Sequence, residues 1–395
     1  MSSQENVLLD FNDLDKEKTV KKASEKKADK SKNYLADMTV SPELSPYQDA
    51  FCPPDIYDLL LPDGSKFGLF ADPYSTMTYV DVNLGSRNGR YWLEQRLEDH
   101  TFTEREIKLL EFLAEHRVAT RNQIHKVVFP EVKKKSNVID MLQKWRQRGM
   151  ICAFSWVSPL DTKDSPKKPL VYGLTRVGAE AVEILFHTQL HDDFWFHPIK
   201  FPKGKGPKMT SFYLDLVANE LYSELERIDR CISWNRRPQI RLSDGTNHYP
   251  AASFEAIKDA GEVRTFWVET VRTGKDWVSR VKNRFKRTQA AFEKLSPYQR
   301  PARLLVIADG DARIPALAQL AEEYMPDVQC RFTNDERLLN GLNKETFIAW
   351  NKEKEEMKLS SIPFLQEGFD GMTATEYFAE QQLNLEDEDD LEYEE

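Results

Sequence analysis

Three predicted helices followed by a predicted hairpin give the clearest pattern of apolar and polar positions in the chain. The first helix begins at Thr103, which forms a capping box with Glu106, and the second begins at Thr120. A third, basic helix is predicted over residues 136–148, with Gly149 at its C-terminal end. Its apolar residues are expected to face inward: Val138, Ile139, Leu142 and Trp145.

Two predicted strands follow the basic helix, over residues 151–157 and 170–174, on either side of a polar loop. Helix, helix, basic helix and hairpin is the element order of a winged helix-turn-helix. We therefore predict a winged helix-turn-helix domain over residues 101–195.

Residues 205–335 show a different pattern, in which short apolar runs alternate with helical periods. This pattern predicts an α/β domain with a mixed sheet, so the fold class of the whole chain is α+β or α/β. The predicted elements are a helix from residue 209, strands near 231–234, 251–257 and 264–271, a basic helix at 276–295, a buried strand at 303–308, a helix at 312–325 and a strand at 328–332.

The remaining segments carry weaker patterns. Residues 1–45 are charged and serine-containing with few aromatic residues, so we expect them to be disordered. Residues 46–100 hold turn signals, among them Asn88-Gly89, between short apolar runs, which predicts short strands or an irregular arm. Residues 336–385 are predicted to be a partly helical extension, and residues 386–395 an acidic tail.

Charge is unevenly distributed along the 395 residues. The net charge is −10, but residues 386–395 alone hold eight acidic residues and no basic ones. Residues 121–176 hold twelve Lys and Arg against four Asp and Glu, and residues 272–287 hold seven against one. Because binding follows the local potential, an acidic protein with two basic segments can bind nucleic acid.

The sequence lacks the signals of several other functional classes. No apolar run approaches the roughly 20 residues of a membrane span, and the N-terminus lacks the apolar core of a secretory signal, so we expect a cytoplasmic protein. Phosphate-binding glycine loops and serine-nucleophile elbows are absent. The four cysteines are too widely spaced for a zinc cluster, and we expect reduced thiols at Cys52, Cys152, Cys231 and Cys330.

The basic helix and the hairpin loop carry the candidate DNA-binding residues. A recognition helix presents long polar side chains to the major groove, where Asn137 and Gln143 would read base edges and lysines would contact phosphates. The alternatives are a solvated basic face and a winged helix that mediates protein contacts. The candidates are Arg121, Lys133, Lys134, Lys135, Asn137, Gln143, Lys144, Gln147 and Arg148, with Lys163, Lys167 and Lys168 in the loop.

The second basic segment is predicted to be a helix with an apolar inner face of Trp277, Val278, Val281 and Phe285. Its bases would line the outer face, either as a second nucleic-acid contact or as a solvated surface. They are Lys275, Arg280, Lys282, Arg284, Lys286 and Arg287.

Three histidines, His187, His191 and His197, lie close together in the sequence. The i,i+4 spacing of the first two would put two metal ligands on one face of a helix, but capping and packing explain the pattern equally well. We expect no metal site.

Residues 103 to about 310 resemble the replication-relaxation family, winged-helix proteins encoded mainly by bacterial plasmids, conjugative elements and related mobile DNA. The segments that carry the resemblance are TEREIKLLEFLAEHRVATRNQI, LVYGLTRVGAEAV, FYLDLVANELYSEL and HYPAASFEAI followed by FWVETVRTG. The resemblance implies a role in plasmid replication, copy control or DNA relaxation. It also implies a restriction-endonuclease-like fold for the C-terminal part.

The implied nuclease-like part departs from an active pattern. Nucleases of that fold use an Asp on one strand and a Glu/Asp-x-Lys on the next, because the acids hold a divalent metal and the lysine orients the attacking water. Ala251 stands where related sequences commonly have the first acid, Glu269 occupies the second acidic position, and Val271 stands in place of the lysine. We therefore expect a nuclease-like scaffold without activity.

The expected function is that of a DNA-binding protein of a plasmid or other mobile element, acting in replication, copy control, relaxation or transcriptional regulation. It would use no cofactor and bind double-stranded DNA in the nucleoid or on a plasmid, with no membrane contact. Two further interactions stay open: binding to a replication or mobilisation protein, and formation of a homodimer.

Two alternatives remain. One is a metal-dependent endonuclease or nicking accessory with Mg²⁺, in which Glu269 and Lys275 are catalytic and Asp244 or Glu255 supplies the missing acid. The other is an interaction module that recruits a replication initiator or relaxase.

Overall fold

The computed structural model describes residues 34–35, 40, 43, 45–47, 51–81, 86–163, 165, 167–202, 204–259, 262–272, 274–351, 354, 356–366, 376 and 379–380. The acidic tail and nearly all of the N-terminal segment predicted to be disordered lie outside these residues. Helices and sheets alternate along the chain, so the fold is mixed α and β, as predicted. None of the helices in the described ranges has the length and apolar composition needed to cross a membrane.

The first half of the chain is built around one sheet, antiparallel except for the parallel pair β4–β5. The elements are α1 (Ile56–Leu59), β1 (Thr76–Tyr79), α2 (Ser86–Glu98), α3 (Glu104–His116), β2 (Val118–Thr120), α4 (Arg121–Val128), α5 (Lys135–Gln147), β3 (Ile151–Val157), β4 (Val171–Thr175), α6 (Arg176–Leu185) and β5 (Trp195–Phe196). β4 lies between β2 and β3, β1 extends the sheet beyond β3, and β5 pairs with the end of β4. Apolar residues of α3, α4 and α5 share one core, which includes Leu110, Ile124 and Leu142.

The second half contains a larger mixed sheet between helices. The elements are α7 (Thr210–Arg227), β6 (Cys231–Arg236), β7 (Ile240–Arg241), β8 (Asn247–His248), β9 (Ala252–Asp259), β10 (Glu262–Thr270), α8 (Trp277–Lys294), β11 (Arg303–Ala308), α9 (Ile314–Tyr324), β12 (Cys330–Asn334), α10 (Asp335–Leu339), β13 (Ile348–Asn351) and β14 (Glu356–Leu359). The strand order is β14-β13-β12-β11-β10-β9-β6, and β10, β11 and β12 are parallel.

Helix α7 lies between the two sheets. On β10, Phe266 and Val268 belong to the apolar cluster that contains α7, whereas Trp267 belongs to the cluster that contains α8 and α9. The α7 cluster also includes Phe154 of β3 and Phe254 of β9. One continuous core therefore joins both halves of the chain, because α7 packs against each sheet.

The helix boundaries follow the local signals. The hydroxyls of Thr103 and Thr120 cap α3 and α4, and each helix has a complete capping box. Gly149 ends α5 with a φ of 72°, the left-handed conformation that glycine adopts without strain. These helices begin and end within about one residue of the predicted positions, well inside the scatter of boundary assignment.

Two predictions for the first half are wrong. Residues 86–98 form helix α2 where short strands or an irregular arm are predicted, and the Asn-Gly pair taken as a turn signal lies inside it. Gly89 serves close packing instead, because a Cβ there would lie 2.4 Å from the carbonyl oxygen of Arg148. Ile139 is 40% exposed, because the buried stripe of α5 runs through Val138, Leu142 and Trp145.

The partly helical prediction for residues 336–385 misses two strands. A short helix, α10, lies at its start, but β13 and β14 then form a hairpin that extends the larger sheet beyond β12. Each strand has only four residues, too few for alternation to stand out from a helical period.

Residues 51–81, the N-terminal arm, connect the two halves. β1 of the arm pairs with β3, while the carbonyl oxygen of Leu60 accepts a hydrogen bond from Arg313 at 2.9 Å. The backbone N–H of Phe70 donates to Asp335 at 3.1 Å. Asp335 follows β12 directly, so the arm covers the carboxyl-terminal end of the parallel strands.

Candidate functional site

The outer face of α5 is mostly polar and exposed. Val138, Leu142 and Trp145 are buried, which fixes the helix and turns its other side to solvent. Arg148, just beyond the helix, lies over the ring of Trp92 at 5.7 Å and is held there. Six further predicted residues are exposed with no acidic partner within the described ranges: Lys133, Lys134, Lys135, Asn137, Gln143 and Lys144. Gln147 is exposed as well.

Helix α4 is attached to α7 by a buried polar contact. Lys126 Nζ lies 2.6 Å from both Glu220 Oε1 and Glu224 Oε1, and Gln123 Nε2 donates to Glu220 Oε2 at 2.8 Å. Burial alone would lower the pKa of Lys126, but the two carboxylates outweigh it and raise the pKa. Lys126 is therefore charged, and it holds α4 and the following α5 against the larger domain.

A second polar contact lies at the end of α3. His116 Nδ1 is 2.8 Å from Asn219 Oδ1, and Asn219 donates to the carbonyl oxygen of Val118 at 2.6 Å. Burial lowers the pKa of His116 to about 3, so its ring is neutral and donates to Asn219. Arg117 binds Asp215 of α7 at 3.0 Å. The sequence analysis did not single out these residues, although polar side chains at the edge of an apolar helical stripe are the signal for such a contact.

The three predicted lysines of the loop between β3 and β4 differ in exposure. Lys163 and Lys167 are exposed. Lys168 is largely buried, and its ammonium lies 2.9 Å from Asp161 and 3.8 Å from Asp72 of the N-terminal arm. Two lysines therefore face solvent, and the third fixes the loop to the arm. Arg121 is half-buried at the start of α4.

Helix α8 buries the predicted apolar face, with Trp277, Val281 and Phe285 in the core. Arg280, Arg287 and Lys275 are exposed, as is Lys286, whereas Lys282 is partly buried. Lys282 and Lys286 lie 4.5 and 5.1 Å from the ring centre of Tyr324 on α9. Arg284 turns inward. The second basic face is thus smaller than predicted.

Glu269 is fully buried on the face of β10 that packs against α8. Arg284 forms an ion pair with its carboxylate, although neither carboxylate oxygen accepts an aligned hydrogen bond within the described residues. Burial raises the pKa of Glu269 to about 7, and Arg284 offsets only part of this effect. The neighbouring His248 packs on Trp267 at 5.0 Å, and burial lowers its pKa to about 4.

The residues that an active nuclease would require are not brought together. Val271 is buried where the motif has lysine, and Arg284 rather than Lys275 contacts Glu269. Asp244 is paired with Lys294 at 2.6 Å, and Glu255 accepts a hydrogen bond from Ser233 at 2.9 Å. Both substitute acids are thus bound elsewhere.

The raised pKa of Glu269 predicts a stability that falls with increasing pH. The folded state favours the protonated acid, so its contribution is complete below the usual pKa of 4.5 and is lost as pH rises to about 7. At about 1.4 kcal/mol per pH unit, this difference amounts to roughly 3 kcal/mol. Urea unfolding from pH 4 to 8 should show wild type losing stability relative to Glu269→Gln by up to this amount. Parallel curves for wild type and Glu269→Gln would contradict the assignment, and the exposed Glu345→Gln is the control for the loss of a carboxylate.

The three histidines do not share a helical face. α6 ends at Leu185, so His187 and His191 lie beyond it. His191 Nδ1 accepts the backbone N–H of Asp193 at 3.2 Å and caps a short 3₁₀ turn. Capping, the plainer of the two explanations, therefore accounts for His191.

Comparison with known proteins agrees with the sequence resemblance. The family model described as replication-relaxation matches residues 110–270. Neither a curated protein nor a solved structure matches the chain. Residues 110–270, which include α4, α5, the β3–β4 hairpin, α7 and the strands through β10, are therefore similar to the replication-relaxation family.

Proposed function

We propose that this protein binds double-stranded DNA of a plasmid or other mobile element and acts in its replication, copy control, relaxation or transcription. The observation that carries the proposal is the outer face of α5, which is exposed and polar. Lys135 and Lys144 of α5, with Lys133 and Lys134 just before it, outnumber its one exposed acid, Asp140, and none of these four lysines has an ion-pair partner within the described ranges. An isolated charge run on a flexible segment would be weak support. Here the helix is fixed by its buried stripe and by the attachment of α4 to α7.

The elements around α5 support a winged helix-turn-helix. α3, α4 and α5 are followed by the β3–β4 hairpin, and β4 lies between β2 and β3. In this arrangement α5 enters the major groove, and Lys163 and Lys167 of the hairpin loop reach the adjacent backbone. Asn137 and Gln143 read base edges, while the lysines contact phosphates. Ile139, exposed among them, offers an apolar contact to a thymine methyl group.

The larger domain acts as a noncatalytic support and second DNA contact. Its order α7-β6-β9-β10-α8-β11, interrupted by the short β7–β8 hairpin between β6 and β9, supports a restriction-endonuclease-like core. Glu269 is paired with Arg284 in the place where an active relative would bind a divalent metal. The exposed Lys275, Arg280 and Arg287 of α8 would contact phosphates.

Two rival functions remain distinct from this proposal. A metal-dependent endonuclease or nicking accessory would use Glu269, which is the only acid of the motif in place. An interaction module would bind a replication initiator or relaxase and have little affinity for DNA.

The experiment is a duplex titration over a salt series, with and without Mg²⁺, in which the DNA is recovered afterwards. We expect affinity to fall steeply with salt and the DNA to remain intact in Mg²⁺. Cleavage that is abolished by Glu269→Ala would establish the endonuclease instead. Absence of binding at every salt concentration would favour the interaction module.

A further inference from the structure

Three arginines lie side by side on the larger sheet. Arg264, Arg303 and Arg331 are near the starts of β10, β11 and β12, which are neighbours in the sheet. Phe266 is paired with Arg303, and Leu305 with Arg331, so each arginine is offset by two residues from the next. Alternation along each strand puts all three on the face that carries Phe266 and Leu305, which is the α7 face.

This arginine row has only one acidic partner among the described residues. Arg264 pairs with Glu262, which is shared with Lys258. Within the described part of the chain, Arg303 and Arg331 have no acidic partner, and the only hydrogen bond of the Arg331 side chain is to the carbonyl oxygen of Cys330 at 2.9 Å. Burial, and then the charge of Arg264, lower the pKa of Arg303; burial and Arg303 lower that of Arg331.

Two N–H groups in the row are buried without an acceptor. Nε of Arg303 and Nε of Arg331 are both inaccessible, and neither donates a hydrogen bond to a described residue. An unsatisfied buried donor of a charged group is destabilising, and the mutual repulsion of like charges adds to this cost. An arrangement of this kind becomes favourable when an anion lies between the guanidinium groups.

We propose that Arg264, Arg303 and Arg331 form a binding site for a multiply charged oxyanion, a phosphate group in particular. Guanidinium groups match the oxygen geometry of phosphate through paired hydrogen bonds, and such groups on adjacent strands can converge on one anion. The ligand supplies the two missing acceptors and the missing charge together.

The site is separate from the DNA contacts proposed above and does not depend on them. The basic face of α8 lies on the opposite side of the sheet, with Trp267 and Val306 between. On the α7 side, Phe364 packs against Phe266 with 6.0 Å between ring centres, so the segment 360–366 lies beside the row. Carboxylates of residues 386–395 share the oxyanion chemistry and are a second source of the ligand.

The test compares thermal unfolding of the full chain in inorganic phosphate and in chloride at equal ionic strength. We expect a saturable rise in the Tm of wild type with phosphate, and phosphate affinity weaker by about tenfold or more in Arg303→Gln. Without phosphate, Arg303→Gln should be at least as stable as wild type because the repulsion is relieved. In phosphate, wild type should be more stable than Arg303→Gln. Arg331→Gln should behave in the same way, whereas the exposed Arg241→Gln, with the same change of charge, should respond like wild type.

Two results would overturn the proposal. One is an equal response to phosphate in wild type and Arg303→Gln. The other is an equal loss of stability of Arg303→Gln in both salts, which would make Arg303 a purely structural residue. A chain that lacks residues 386–395 identifies the source of the anion. A larger phosphate effect in that chain supports the site with the tail as its competitor, and an unchanged effect supports it with a free phosphate ligand.

Discussion

Lys135→Ala/Lys144→Ala should bind duplex DNA about 10- to 100-fold more weakly than wild type near physiological salt. Each lysine that neutralises a phosphate releases a counterion, and this release contributes about 0.9 to the slope of log affinity against log salt. Loss of two contacts should therefore reduce that slope by about 2. Both side chains are exposed on α5, and alanine preserves the helix.

The matched control is Lys66→Ala/Lys344→Ala, which removes the same charge from exposed positions outside both basic faces. Fluorescence anisotropy at several salt concentrations measures affinity and slope together. The control should retain the slope of wild type. An equal loss in both variants would mean that net charge, and not the face of α5, determines binding.

Lys126→Met should reduce the free energy of unfolding by about 3–5 kcal/mol, the range for removal of one partner from a buried ion pair. The change leaves the carboxylates of Glu220 and Glu224 close together at 0% and 3% exposure with their shared cation gone. Methionine occupies a similar volume, so lost packing contributes little.

Urea unfolding measures this loss, with the exposed Lys133→Met as the control. Addition of Glu220→Gln to Lys126→Met should recover part of the stability, because it removes the carboxylate that loses its cation, whereas Glu224 keeps its ion pair with Arg227 at 3.0 Å. A loss no larger than that of Lys133→Met would show that the α4–α7 contact does not stabilise the fold. Such a result would also remove the argument that α5 is held in a fixed position.

Elements with complete local signals were predictable from the sequence. The capping boxes at Thr103 and Thr120 define two helices, and the apolar run of β11 predicts its strand because no helical period competes with it. The role of Gly89, by contrast, was not predictable. Its role depends on the carbonyl oxygen of Arg148, which is distant in sequence, so local reasoning assigns a turn where a helix packs.

The candidate site also has features that the sequence predicts and features that it does not. The outward polarity of α5 follows from its helical period, and all of its predicted residues but Ile139 fall on the expected side. The inward turn of Arg284 could not be predicted, because it depends on the packing of α8 over Glu269. The grouping of the three arginines could not be predicted either, because only the register of β10, β11 and β12 brings them together.

The position of β10 in the larger sheet determines how far the chain can be shortened. The family match ends at residue 270, the last residue of β10, whereas Val306 of β11 pairs directly with Glu269. A chain cut at this point would turn an interior strand into an exposed edge, open to pairing with other chains. It would also lack α8, which covers Trp267 and supplies the cation for Glu269. The segment by which the family is recognised is thus smaller than the smallest piece of this protein that can complete its own sheet.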